Sequence, residues 1–159
     1  MIREMLGMGE GILQDLHNDH GEVDDLLDRL ADCADGAERG RLFAQLKTKL
    51  LPHLQAEQEI LYRRLETGQA EASRQFGHEG MSEHQTVEQQ LHKMSGLGNM
   101  MSDQWTAELK VLQELIEHHV NEEETTGFGC ARDEFETDQL EAMSREFQTR
   151  KAELMTKVG

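Results

Sequence analysis

The chain has little of several residue types, and each shortage excludes a kind of protein. One proline, 4% aromatic residues and no alternating Val/Ile/Thr runs argue against a β-sheet protein, while abundant Leu, Glu, Gln, Met and Ala favour an all-α protein. Only two cysteines are present, Cys33 and Cys130, and they form no Cys-x-x-Cys motif. A disulfide framework is therefore not expected, and a reducing, cytoplasmic location is the simpler interpretation.

Long apolar runs and basic residues are also scarce. No apolar run approaches the roughly 20 residues that cross a bilayer, and the N-terminus lacks the basic and apolar regions of a signal peptide. Against 32 acidic residues stand 16 basic ones, giving a formal charge of −16. A nucleic acid would be repelled by this charge, so neither a membrane nor a nucleic acid is an expected partner.

Hydrophobic spacing predicts one helical domain in a chain of 159 residues. Residues 1–9 are rich in Met and Gly, which predicts a flexible tail. Apolar residues at 3–4 spacing predict five helices, over residues 10–34, 37–66, 71–94, 103–124 and 133–157, with Gly127 and Gly129 ending the fourth. Short loops predict an up-down-up-down four-helix bundle over residues 10–130. Residues 131–159 are then an additional C-terminal helix, which lies on the bundle or meets a partner such as a second copy.

The most informative stretch begins at His53 and continues through Glu57. Residues four apart on a helix share a face about one turn apart, so this imidazole and this carboxylate point the same way. The same pair recurs in the fourth predicted helix as His119 and Glu123. Such a pair can serve one metal ion or two adjacent ones.

The similarity extends to the other two helices. His20-x-x-Val23-x-x-x-Leu27 corresponds to the same residue types at positions 84, 87 and 91, which indicates an internal duplication of a helical hairpin. A bundle built from two such hairpins has a pseudo-two-fold axis through its middle. That axis would bring together two copies of one set, namely His20, His53 and Glu57 with His84, His119 and Glu123.

A purely structural role for these His and Glu residues is the alternative to a metal site. A His–Glu pair on a helix is usually an exposed ion pair, and a single inward His is usually a satisfied core group. Here, however, four His residues have Glu four positions later, where the composition predicts about one. Burying two carboxylates without a cation would cost several kcal/mol each, so a metal site is the favoured interpretation.

The ligand types narrow the choice of metal and of protein class. Four imidazoles and two carboxylates suit iron, manganese or zinc, and two ions better than one. The Glu-x-x-His of ferritin-like bundles is absent, and so is the His-Glu-x-x-His of zinc proteases.

With these His and Glu residues the sequence resembles the hemerythrin-like family, the HHE cation-binding domains. Their pattern of His, His-x-x-x-Glu, His and His-x-x-x-Glu is met by His20, His53/Glu57, His84 and His119/Glu123, and the aromatics Tyr62 and Phe128 also fit. The resemblance covers about residues 12–135. It implies two non-haem iron ions, with manganese or zinc as substitutes, held by these six residues. It further implies bridging carboxylates, an oxo or hydroxo bridge, and an open position for dioxygen, nitric oxide or peroxide.

Departures from the family pattern bear on function. Oxygen-carrying hemerythrins have a fifth His four residues from the one on the third helix, whereas His84 has Gly80 and Glu88 at that spacing. A reversible oxygen carrier is therefore less favoured. Glu88 is an extra ligand or, more simply, an exposed charge, and His118 is an exposed or outer residue. His17 is an outer or gating residue, and the remaining two, His78 and His92, are assigned to the surface.

The sequence thus predicts a di-iron protein that binds a small diatomic or oxidant for sensing, storage or stress response. Two alternatives stay open: a redox enzyme that turns over peroxide or nitric oxide, and an iron-handling protein. Helix register predicts apolar walls around the site from Leu16, Leu50, Ile116 and Val120. Because ligation needs neutral imidazoles and ionised carboxylates, metal affinity should fall below about pH 6.

Overall fold

The computed structural model describes residues 10–158, and the predicted N-terminal tail lies outside them. The described residues form five helices and no strand, which confirms the all-α prediction. We label them α1 to α5 in chain order. Helix α1 covers Ile12–Asp32, α3 covers Glu71–Ser95 and α5 covers Thr137–Val158. Helix α2 is α-helical over Gly36–Glu57, π-helical over Gln58–Tyr62 and α-helical again over Arg63–Glu66; α4 likewise comprises Asp103–Glu122, a π segment at Glu123–Gly127 and Phe128–Glu134.

Local sequence explains where α2 and α4, the helices with the His–Glu pairs, begin. Asp35 caps α2 by accepting a hydrogen bond from the backbone N–H of Glu38, and Ser102 caps α4 by accepting one from Trp105. Side-chain oxygens at these positions satisfy backbone donors that have no partner inside a helix. The short α1–α2 and α3–α4 connections then make the helices of each hairpin neighbours.

The first four helices form the predicted bundle. Helix α1 contacts α2 and α4, and α3 contacts the same two helices from the other side. The C-terminal helix α5 packs along α1 and α2. Of the two placements that the sequence left open, α5 therefore lies on the bundle. None of the helices in residues 10–158 is both long and apolar enough to cross a bilayer.

Helix α4 continues past the residues that were expected to stop it. Gly127 lies inside a π segment and the helix runs on to Glu134, so the predicted end at residue 124 is wrong. A Cβ on Gly127 would come within 2.4 Å of the Phe76 ring on α3. This glycine therefore permits a close approach between two helices, which overrides its weak helix propensity.

The buried apolar residues divide into two clusters along the bundle. One cluster contains Val23, Leu50 and Trp105 among others, and the second contains Leu13, Phe76 and Phe147 from α5 among others. His20 and His84 fall between these clusters in chain order, and on α2 and α4 one cluster gives way to the other around the His–Glu pair. A layer of buried polar groups thus separates two halves of an otherwise apolar core.

Candidate metal centre

The six predicted residues face the interior of the bundle. Glu57, His84 and Glu123 are 0% exposed, and the most exposed of the six, His20, is only 8% exposed. Each π segment begins at or directly after a Glu of the set, at Gln58 in α2 and at Glu123 in α4. Single π turns within α-helices occur frequently at functional sites.

The four imidazoles form two neighbouring pairs. The rings of His20 and His53 have centroids 5.4 Å apart, and those of His84 and His119 are 4.6 Å apart. In the second pair the two Nε2 atoms approach to 2.9 Å. Two nitrogen lone pairs at that distance repel unless a proton or a cation lies between them.

Each carboxylate contacts one imidazole from each pair. Oε1 of Glu57 lies 3.4 Å from His53 Nε2 and 3.3 Å from His84 Nε2. Glu123 reaches His20 Nε2 with Oε1 at 3.0 Å and His119 Nε2 with Oε2 at 3.8 Å. Both carboxylates therefore span the two imidazole pairs, as groups that bridge two ions must.

The donor atoms fit a bound cation better than they fit one another. Among the described residues, four buried atoms of the cluster form no hydrogen bond of acceptable geometry: His20 Nε2, both carboxylate oxygens of Glu57 and Oε1 of Glu123. Ligand atoms of Glu57, His84 and His119 lie within 4.8 Å of one another. Bonds of about 2.0–2.2 Å to a metal place neighbouring ligand atoms about 3 Å apart, close to the contacts found here. The residues thus fit a metal site.

A hydrogen bond on the far side orients each imidazole. The Nδ1 atoms lie 2.7–3.1 Å from one partner each: Glu124 for His20, Asp19 for His53, Gln58 for His84 and Glu83 for His119. In a neutral imidazole such a bond favours the Nδ1–H tautomer and leaves the lone pair of Nε2 directed toward the centre, where it can bind a metal. For His84 the same role requires the Gln58 amide to present its oxygen, an orientation that the neighbouring hydrogen bonds decide.

These four outer partners occupy corresponding positions in the two duplicated hairpins. The sequence analysis did not predict them. Asp19 and Glu83 each precede a His of the set, on α1 and α3, and each binds the His of the following helix. Gln58 and Glu124 each follow a Glu of the set, and each binds a His of the other hairpin. The signal was available as an acid before each first His, but the choice of partner depends on the packing of the helices.

Tyr62 reaches the centre itself, a role that its position in the sequence pattern did not reveal. Its hydroxyl donates a hydrogen bond to Oε2 of Glu123 and lies 3.0 Å from His119 Nε2. The ring packs closely over Gly80, where a Cβ would come within 2.7 Å of it. Burial and the charge of Glu123 raise the pKa of Tyr62 well above its usual value, so the hydroxyl stays a donor.

Burial and charge set the protonation of the inner groups in opposite directions. Burial, followed by the charge of His119, holds the pKa of His84 well below its usual value, so this imidazole is neutral at pH 7. Burial lowers the pKa of His20, but the carboxylates of Glu123 and Glu124 outweigh burial and raise it to about 10. Burial likewise raises the pKa of Glu57, but the side chains of Glu123 and His53 outweigh it and lower the pKa to about 2. Glu57 is therefore an anion in the core.

A small apolar cavity adjoins the centre. It has a volume of about 20 Å³ and is lined by His20, His53, His119 and six aliphatic residues: Val23, Leu50, Leu54, Val87, Ile116 and Val120. Leu50, Ile116 and Val120 lie where helix register predicted an apolar wall. Leu16 does not, because it packs in the other core cluster with residues of α5.

A larger groove connects this region with the surface. It has a volume of about 250 Å³ and lies between α1 and α4, with His20, Ile116 and Val120 common to its lining and that of the small cavity. His17, with 32% of its side chain exposed, lies in this groove and its Nδ1 is 3.0 Å from Glu124. An outer position for His17 matches one of the two roles that the sequence suggested.

The remaining polar residues singled out in the sequence lie outside the inner set. His118 is 65% exposed and its Nε2 lies 3.2 Å from Glu83. Glu88 is half-buried on α3, one turn beyond His84. His78 pairs with Glu66 with 68% of its side chain exposed, and His92 is exposed as well.

Comparisons with known proteins agree with a cation-binding role. Residues 11–131 match the family model described as "Hemerythrin HHE cation binding domain". A curated protein of Nostoc sp. (strain PCC 7120 / SAG 25.82 / UTEX 2576), named "DNA nickase", is 26% identical over 141 residues, which are 89% of this chain and 39% of that protein. The chain therefore spans about two fifths of the length of this relative. No solved structure matches the chain significantly.

Proposed function

The chain belongs to the hemerythrin HHE cation-binding family, and we propose that its buried cluster holds two non-haem iron ions and binds a small diatomic or oxidant beside them. The observation that carries this proposal is a set of inward atoms able to bind a metal, at His20, Glu57 and Glu123. Among the described residues these atoms form no hydrogen bond of acceptable geometry. Two buried carboxylates without a compensating cation would cost several kcal/mol each, which the rest of a small domain could hardly offset.

Each ion would have its own imidazole pair and would share both carboxylates. His20 and His53 would bind one ion, and His84 and His119 the other. Glu57 and Glu123 support a bridging role because each lies against one imidazole of each pair. Mixed imidazole and carboxylate ligation suits iron, with manganese and zinc as substitutes.

The small cavity supports a diatomic ligand. Its volume of about 20 Å³ is enough for one water-sized molecule, which needs about 10–15 Å³, and its walls are aliphatic apart from the three imidazoles. Two iron ions held by these residues would supply electrons to dioxygen, nitric oxide or peroxide. The chain contributes the exclusion of bulk water by Ile116 and Val120, and the Tyr62 hydroxyl as a hydrogen-bond donor at Glu123.

Sensing or storage, enzymatic turnover and iron handling all use this same site. The ferrous protein mixed rapidly with dioxygen or nitric oxide separates them. A stable spectral adduct supports a binding role, and repeated turnover with release of product supports an enzyme. Iron that loads and leaves reversibly without reaction with either gas supports iron handling.

DNA is not part of the proposal, although one relative is named a DNA nickase. This chain spans less than half of that relative, and the activity of a whole protein does not pass to a part of it. The formal charge of −16 would also repel a polyanion, and counterion release could not supply affinity without basic contacts.

The test is metal analysis of protein purified without added metal, together with its visible spectrum. We expect about two iron ions per chain, and we expect His119→Ala to lose one of them. The matched control is His118→Ala. His118 directly precedes His119 on α4, and 65% of its side chain is exposed. Two ions retained in the His119→Ala variant would refute the ligand assignment, and no metal in the unaltered protein would refute the function.

A further inference from the structure

The two acids that orient His53 and His119 differ in their own partners. Asp19 and Glu83 occupy corresponding positions and bind Nδ1 of His53 and His119 at 2.8 and 2.7 Å. Glu83 is 20% exposed and contacts His118 besides His119. Asp19 is buried instead: Nζ of Lys151 donates to both of its oxygens at 3.0 and 2.8 Å, and Nζ of Lys49 on α2 lies 3.3 Å from its Oδ1. The surroundings of Asp19 therefore depart from the duplication.

Lys151 comes from the C-terminal helix, outside the duplicated hairpins. It is 9% exposed, and its Nζ lies 5.0 Å from the centroid of the Phe147 ring one turn earlier on α5. That ring in turn meets His53 edge-on, with centroids 5.8 Å apart. Helix α5 thus presents an aromatic ring to His53 and an ammonium to Asp19, the acid that binds His53. Helix α5 is itself anchored by buried apolar residues.

Physical chemistry gives this contact a role in metal binding. An aspartate buried beside an imidazole alone would be poorly compensated, whereas a lysine that donates to both oxygens keeps it ionised and fixed. The fixed aspartate holds the Nδ1–H of His53, and this hydrogen bond aims Nε2 at Glu57. Without Lys151, Asp19 would keep Lys49 at 3.3 Å from its Oδ1 but would lose the ammonium at Oδ2, the oxygen that holds His53. The imidazole could then rotate.

We infer that Lys151 is a positioning residue that holds His53 through Asp19 and so makes the two metal positions inequivalent. The position at His20 and His53 depends on α5, and the position at His84 and His119 does not. This inference rests on the proposed two-ion function. Replacement of an outer partner of a metal ligand typically lowers affinity by about 10- to 100-fold, and this loss should fall on one position only.

Manganese titration of the full chain tests the inference. Mn²⁺ is a suitable probe because two bridged ions give a coupled electron paramagnetic resonance signal, whereas a single bound ion gives a six-line signal. For Lys151→Met we expect one ion bound as in the unaltered chain and the second about 10- to 100-fold more weakly, with the six-line signal at intermediate Mn²⁺. The matched control is Lys157→Met, an exposed lysine on the same helix.

Combined variants distinguish positioning from general loosening of the fold. Lys151→Met should cost no further affinity in a His53→Ala background, because the residue on which it acts is gone. In a His119→Ala background it should still cost the full 10- to 100-fold. If Lys151→Met proves unfolded by circular dichroism, Lys151→Gln keeps one donor to Asp19 and should show a smaller loss at the same position.

The outcomes separate this inference from the function on which it rests. Equal weakening of both positions by the Lys151 variants, or no weakening of either, overturns the inference while the two-ion function stands. An unaltered chain that binds fewer than two Mn²⁺ ions overturns the function and the inference with it.

Discussion

Replacement of Glu57 by leucine should change stability in opposite directions with and without metal. Glu57 is 0% exposed, and neither of its carboxylate oxygens forms a hydrogen bond of acceptable geometry among the described residues. In a protein stripped of metal this anion is held by neighbouring side chains such as His53, and the cost of removing buried charges from water can exceed their mutual attraction. An apolar group of similar volume in its place is often neutral or stabilising, by up to about 4 kcal/mol.

The neighbours of Glu57 explain why Glu57→Leu should not destabilise the metal-free protein. His53 and His84 lie 3.4 and 3.3 Å from its Oε1, and an imidazole can lose its proton and become neutral when the carboxylate disappears. The substitution therefore leaves no obligatory charge behind. For a chain of this size, a gain of about 1 kcal/mol raises the melting temperature by about 2–4 °C.

Bound metal should reverse the order. A ligand present at 100 times its dissociation constant stabilises the folded state by about 2.7 kcal/mol, and each further tenfold adds about 1.4 kcal/mol. The unaltered chain should gain this stabilisation in full. The Glu57→Leu variant, which has lost a carboxylate that contacts both imidazole pairs, should gain much less of it.

The assay is thermal unfolding followed by circular dichroism, with a chelator and then with excess Mn²⁺. Glu79→Leu is the control, because Glu79 is exposed on α3 and should show the same metal response as the unaltered chain. The reasoning is refuted if Glu57→Leu lowers the melting temperature by more than a few degrees in chelator. That result would mean that protein groups alone compensate this carboxylate.

Three further predictions concern groups around the same centre. Tyr62→Phe should destabilise the metal-free chain by about 1.5–3 kcal/mol in urea unfolding, because Glu123 loses a buried donor, and a change below about 0.5 kcal/mol would contradict the contact. Because the pKa of His20 is raised to about 10, this imidazole is protonated at pH 7 and metal must displace the proton, so Mn²⁺ affinity should rise by up to about tenfold per pH unit between pH 7 and 9. A flat profile in calorimetric titrations would show that His20 is already neutral. Supercoiled plasmid incubated with the metal-loaded chain at physiological salt should remain uncut, and nicking that Glu57→Leu abolishes would overturn the charge argument.

Much of the fold could be predicted from the sequence, and some of it could not. The five helices follow from apolar spacing, and the observed Ile12–Asp32 and Glu71–Ser95 lie close to the ranges expected for them. The end of α4 was wrong by about ten residues because Gly127 was interpreted by its propensity. Its actual requirement is contact with Phe76, which only the neighbouring helix supplies.

The candidate site shows the same division. The sequence predicted six residues on inner helix faces, and their side chains lie together in the structure, while their role as metal ligands remains a prediction. The outer partners Asp19, Glu83 and Glu124 were missed, although two of them directly precede a His of the set and the third follows a Glu. Their adjacency in sequence did not indicate that each would bind an imidazole on a different helix.

What the sequence by itself determined is what depends on contacts within one helix. The spacing of four residues fixes His53 and Glu57 on one face, and the duplication fixes a second pair, because helix geometry is local. The tertiary structure decided which acid orients which imidazole, that Tyr62 reaches Glu123, and that Lys151 of α5 binds Asp19. These contacts join residues far apart in the chain, so they exist only once the packing of whole helices has set their rotation and depth.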